Sequence, residues 1–142
     1  MSPDPPPRLR VAVVGVGYLG KHHARILAAM PDVELVAVVD TNRARAEEIA
    51  AASGTKALFD SRDLPGTVDA VAVAVPTDRH RDVALPLLEA GVPALVEKPM
   101  AASLADADEL IAAAARKGIV LAVGHTERFN PAVQAAQPPI LG

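Results

Sequence analysis

The chain has 142 residues, a length that suits a single domain able to bury one core. Hydrophobic residues make up 51% and charged residues 22%, which excludes a disordered chain, and with only 2% aromatics the core must come from Val, Leu, Ile and Ala. The net charge of −3, without a Lys/Arg cluster, argues against a nucleic-acid partner, and the absence of cysteine excludes a disulfide framework and a thiolate metal site.

Residues 1–8, "MSPDPPPR", are read as a flexible proline-rich tail. They have no apolar core and so are not a secretory signal. No apolar stretch reaches the roughly 18 residues of a membrane span. A soluble, cytoplasmic protein without a membrane partner is expected.

From Leu9 onward two patterns alternate. "LRVAVVG" (9–15) is a nearly continuous apolar run, the mark of a parallel strand covered on both faces. "VGYLG" then completes G-x-G-x-x-G with Gly15, Gly17 and Gly20. In such a loop Gly15 allows the tight turn, Gly17 lets the backbone approach a pyrophosphate, and Gly20 lets helix and strand pack closely. The helix "YLGKHHARILAAM" (18–30) carries Leu19, His23, Ile26, Leu27 and Met30 at helical spacing. His22 and His23 are adjacent and point different ways, so they do not share a metal ion. His23 is expected to be packed and His22 exposed, with no metal site.

"VELVAVVD" (33–40) is the second strand. It ends in Asp40, 20 residues after Gly20, where an acid accepts hydrogen bonds from the adenosine ribose of NAD. An acid there disfavours NADP, although Arg43 is placed to meet a 2′-phosphate. At this point S-adenosylmethionine remains open as the ligand, since methyltransferases also combine a glycine loop with such an acid. "NRARAEEIAAAS" (42–53) reads as a helix ending before Gly54, and "TKALF" (55–59) as a weak strand.

"VDAVAVAVP" (68–76) is the next strong strand, followed by the helical "DRHRDVALPLLEAG" (78–91), in which Pro86 predicts a kink. "VPALVEK" (92–98) ends abruptly in Glu97, Lys98 and Pro99. Ser103, three residues before Asp106, starts another helix that runs to Gly118, and "GIVLAVGH" (118–125) is the last strand. This βαβ alternation predicts an α/β fold built on a doubly wound parallel sheet over 9–125. Residues 126–142 are read as an exit segment.

The glycine loop, "AVPTDRH" (74–80), "EKP" (97–99) and "GHTERFNP" (124–131) occur in the order found in the Gfo/Idh/MocA oxidoreductases. The chain resembles the NAD(P)-binding domain of that family, and "RFNP" is most similar to its nucleotide-sugar dehydrogenase branch. The "EKP" element argues against the methyltransferase reading. The resemblance implies a Rossmann fold and a parent enzyme that oxidises a hydroxyl of a sugar or nucleotide sugar, passing hydride to nicotinamide. It implies cofactor contacts from Gly15, Gly17, Tyr18, Leu19, Gly20, Asp40, Thr41, Arg43, Pro76, Thr77, His80, Glu97 and Lys98. His80 is alternatively an exposed residue of the following helix. Lys98 is the expected catalytic residue, held by Glu97, and it contacts substrate. Glu127, Arg128 and Asn130 face substrate, a following domain or solvent. Family members continue into a second α/β domain, which implies that residues 126–142 lead toward such a domain and that the parent is a homo-oligomer through it. Two other readings stay open: a stand-alone dinucleotide-binding or sensor module, and a relative using bound NAD for transient oxidation during glycoside cleavage.

Overall fold

A computed structural model of the chain describes residues 3–141. Six parallel strands form one sheet in the order β3-β2-β1-β4-β5-β6. They are β1 (Leu9–Val14), β2 (Val33–Val39), β3 (Lys56–Leu58), β4 (Ala70–Val73), β5 (Ala94–Val96) and β6 (Leu121–Val123). The helices are α1 (Tyr18–Ala29), α2 (Arg43–Ser53), α3 (His80–Glu89), α4 (Leu104–Lys117) and α5 (Pro131–Leu141). The chain starts in the middle of the sheet, builds outward through β2 and β3, and then crosses back to β4. The doubly wound sheet expected from the strand–helix alternation is therefore present.

Side-chain alternation divides the core. Ala12 and Val14 of β1, Val71 and Val73 of β4, and Val96 of β5 point to one face, under Leu87 and Leu88 of α3 and Leu110 of α4. Val13, Val38 and Ala72 point to the other, under Ala24 of α1 and Ala50 of α2. All these residues are buried. Their successive positions on opposite faces follow from the period-2 geometry of a strand.

Two details depart from the sequence reading. The apolar stripe of α1 is not its buried face: Leu19, Ile26 and Met30 are exposed, and Gly20 and Ala24 are buried instead. Small residues win because the helix runs too close to the β1 loop for larger ones. A Cβ on Gly20 would come within 1.7 Å of the Gly15 carbonyl oxygen. The second departure is at β5 and β6, which were read as covered on both faces. Leu95 is 36% exposed and β6 is only half-buried, so helices cover a single face there.

Helix ends follow local chemistry. Asn42 caps α2 by accepting the Arg45 N–H, and Ser103 caps α4 by accepting the Asp106 N–H. Both helices stop at a glycine in the left-handed conformation, Gly54 and Gly118. α3 runs on through Pro86 as one helix. Among the described residues no helix is long and apolar enough to cross a membrane.

Candidate dinucleotide site

A cavity of about 720 Å³ opens at the carboxyl ends of β1, β2 and β4. That is where strand order reverses, and open parallel sheets bind ligands at such points. Gly15, Gly17, Tyr18 and Leu19 form one wall. Gly15 has φ +86°, and a side chain there would meet the Ala74 and Val75 backbone at 2.8 Å. Gly17 is different: its nearest neighbour would be an Arg45 guanidinium nitrogen at 3.7 Å. The space over Gly17 is therefore open toward the cavity. No side chain caps α1 and no acid lies in its first turn. Its leading amides and the positive end of its dipole are left for an anion. A pyrophosphate fits this cradle.

Asp40 and Thr41 form the second wall. The Asp40 carboxylate is held on both oxygens: Val16 N–H donates to Oδ2 at 3.1 Å and Asn42 N–H donates to Oδ1 at 2.8 Å. The acid is thereby anchored to the glycine loop itself, with its side chain 10% exposed. Acceptor capacity remains on a carboxylate with this few donors, and a ribose hydroxyl can use it. Asp60, nearby on the same cavity, is held down to about 2, chiefly by hydrogen bonds from the Arg62 side chain and then from its backbone N–H.

Pro76 lies on the third wall, with Val75 and Arg79. Thr77 starts a short 3₁₀ turn and does not line the cavity. His80, offered above as a cofactor contact or an exposed residue, is 1% exposed. Its Nε2 is 2.8 Å from the Val75 carbonyl, and its Nδ1 is 3.0 Å from the Pro99 carbonyl and 3.3 Å from that of Met100. It joins the loop after β4 to the loop after β5. Its sequence position in a first helical turn hid this, because two of its partners, Pro99 and Met100, come from the segment after β5.

Glu97 is 8% exposed and its carboxylate turns inward. Oε1 lies 2.7 Å from His23 Nε2 on α1, and Oε2 accepts the Lys98 N–H at 3.4 Å. Glu97 thus meets Lys98 through the backbone, and its carboxylate faces His23. Lys98 is exposed, at the end of β5 and ahead of a cis Lys98–Pro99 bond. Neither Glu97 nor Lys98 lines the cavity described above.

Arg43 does not line it either. Its guanidinium lies over the Phe59 ring, 4.0 Å from the centroid. The cation beside Asp40 on the cavity wall is Arg45, which the sequence reading did not name. Glu127 accepts a hydrogen bond from Asn130, and Asn130 accepts the Ala132 N–H at the start of α5. With Arg128 they are exposed and away from the cavity.

A parallel sheet of order 3-2-1-4-5-6, with a glycine loop and an anchored acid at its switch point, defines a dinucleotide-binding domain of the Rossmann type. Residues 9–125 match the family described as oxidoreductase family, NAD-binding Rossmann fold. The chain belongs to that family, the Gfo/Idh/MocA oxidoreductases. It is 41% identical over 126 residues to a UDP-N-acetylglucosamine 3-dehydrogenase of Acidithiobacillus ferrooxidans, a match covering 89% of this chain and 40% of that protein. It is 40% identical to inositol 2-dehydrogenase 1 of Saccharopolyspora erythraea, over 87% of this chain and 38% of the relative. Among solved structures, GenD2 from gentamicin A biosynthesis, in complex with NAD, has a TM-score of 0.89 at 36% identity, covering 95% of this chain and 39% of that one. The chain therefore spans about two fifths of the length of these relatives.

Proposed function

We propose that this chain is the cofactor-binding part of a dehydrogenase that oxidises a ring hydroxyl of a sugar or nucleotide sugar, with NAD preferred over NADP. The observation that carries the reading is the anchored Asp40 beside an uncapped glycine-loop helix in one cavity. Bound nicotinamide supplies the hydride acceptor. The Gly15–Gly20 backbone holds the pyrophosphate, and Asp40 receives a hydroxyl of the adenosine ribose. Lys98, at the end of β5, donates a hydrogen bond to the substrate hydroxyl oxygen and stabilises the charge that develops there while the hydroxyl proton passes to a general base beyond this chain and the hydride to the nicotinamide. The identity to a UDP-N-acetylglucosamine 3-dehydrogenase supports a nucleotide-sugar substrate. The cysteine-free sequence fits a reducing compartment, and we place the protein in the cytoplasm.

The cavity residues account for a cofactor, while Lys98 is a single polar contact for a sugar. Orienting the reactants supplies about 7–11 kcal/mol of a barrier of this kind, so walls beyond this chain are needed for turnover. The test has two parts. The chain should bind NAD in calorimetry yet produce no sustained NADH with UDP-sugars or free sugars. In the longer protein, Lys98→Ala should lower kcat by about 10²–10⁴-fold and leave NAD affinity unchanged. A chain that fails to bind NAD, or a Lys98→Ala enzyme of normal kcat, would refute the assignment.

A further inference from the structure

Lys98 is exposed, so its direction is set by the backbone that carries it. That backbone follows Glu97, a buried acid to which the proposed chemistry gives no part. Three segments meet at its carboxylate. Strand alternation puts Leu95 and Glu97 on the α1 side of the sheet. β6 pairs Ala122 with Leu95, which brings Gly124, two residues on, beside Glu97. A Cβ on Gly124 would lie within 2.9 Å of all three carboxyl atoms, so the bare backbone there lies flat against the acid. From α1, His23 Nε2 approaches Oε1 at 2.7 Å. An ionised carboxylate only accepts, so Nε2 is the donor. The second oxygen, Oε2, accepts the Lys98 N–H at 3.4 Å, near the limit of a hydrogen bond. A small swing of the carboxylate therefore releases the Lys98 amide. His23 and Gly124 are the two groups that prevent that swing.

His23 lies about one turn after Gly20, on the helix whose first residues, Tyr18 and Leu19, line the cavity. The helix that faces the pyrophosphate thus also holds the acid behind Lys98. A catalytic group misplaced by about 1 Å can cost about 10²-fold in rate. We infer that His23 is a positioning residue for the oxidation: it fixes Glu97, and through Glu97 it sets where Lys98 leaves β5. The inference rests on the reading that Lys98 meets the substrate hydroxyl.

The test compares His23→Ala, His23→Asn and His23→Gln. Glutamine carries an amide nitrogen as many bonds from Cβ as Nε2, and asparagine stops one bond short. In this chain, with the fold checked by circular dichroism, the Lys98 amide proton should move upfield in His23→Ala and His23→Asn and return in His23→Gln. In the longer enzyme His23→Ala should lower kcat about ten- to a hundredfold with NAD affinity unchanged, and His23→Gln should recover most of it. In a Lys98→Ala background His23→Ala should cost nothing further, because it acts through the lysine. A Lys98 amide that does not move, a native kcat, or an equal loss in both backgrounds overturns the inference and leaves Lys98 at the substrate. A Lys98→Ala enzyme of normal kcat overturns the reading of Lys98 and the inference with it. If His23→Ala unfolds, the contrast between His23→Asn and His23→Gln carries the same outcomes.

Discussion

His23 Nε2 and Glu97 Oε1 lie 2.7 Å apart although 74 positions separate them in the chain. The contact ties α1, whose first turn faces the cavity, to the end of β5, where Lys98 emerges. Gly124 closes the third side: a Cβ there would come within 2.8 Å of the Glu97 carboxylate. The carboxylate is 8% exposed, so loss of His23 leaves it short of a partner where water is scarce.

His23→Ala should therefore destabilise the chain by about 1–3 kcal/mol in urea unfolding at neutral pH. Gly124→Ala should have a similar effect, because it pushes the same carboxylate off His23. The double variant should lose clearly less than the sum, since both substitutions break one contact. Strict additivity would show that the two residues do not act through Glu97.

The glycines of the loop should separate into two behaviours. Gly20→Ala forces a Cβ against the Gly15 carbonyl and should cost about 3 kcal/mol or more. Gly17→Val points into open space, so stability should stay within about 0.5 kcal/mol of native while NAD binding is lost. Thermal melts and NAD titration on the same samples check this. A Gly17→Val chain that binds NAD normally would remove the pyrophosphate from this loop.

His80 should matter more than an ordinary first-turn histidine. His80→Ala leaves the Val75, Pro99 and Met100 carbonyls without their ring partner and should destabilise by about 2–3 kcal/mol. Because His80 holds the loop after β5, amide exchange at Lys98 and Met100 should accelerate more than exchange in β1. Equal acceleration throughout would mean that His80 only fills space.

Acid should act on the cavity rim through Asp60. Its folded value of about 2 lies below an ordinary aspartate, chiefly because the Arg62 side chain hydrogen-bonds it. A lowered acid stabilises the fold when ionised, so its contribution is complete above about pH 4 and fades as the pH falls toward 2. Asp60→Asn should thus weaken the chain slightly at pH 7 and make progressively less difference as the pH falls through 2. In Arg62→Ala, carboxyl NMR should show Asp60 titrating closer to the ordinary value. A native Asp60 that already titrates there would contradict the pairing.

Much of this was legible in the sequence because it is local. Continuous apolar runs of β-branched residues marked the strands. The turn at Gly15 and the packing at Gly20 depend on atoms a few residues away, and Asp40 follows from the length of one βαβ unit. The Ser103 cap was also readable from spacing alone.

What needed the tertiary structure were relationships between distant segments. Arg43 and Arg45 are equivalent by composition. The start of α2 at its Asn42 cap and the Phe59 ring at the end of β3 decide that Arg43 stacks and Arg45 meets the cavity. The apolar stripe of α1 looked like its buried face, yet the closeness of the Gly15 loop selected Gly20 and Ala24. His23 read as a packed histidine, and His80 as a cofactor contact or an exposed residue, until β5 brought Glu97, Pro99 and Met100 to them. Sequence by itself determined the elements, the sheet and the glycine-and-acid signature, since periodicity and turn chemistry act over a few residues. Which side chains face the cavity, and which hold Lys98 in place, was decided only by packing, because those contacts join residues whose spacing along the chain carries no trace of their meeting.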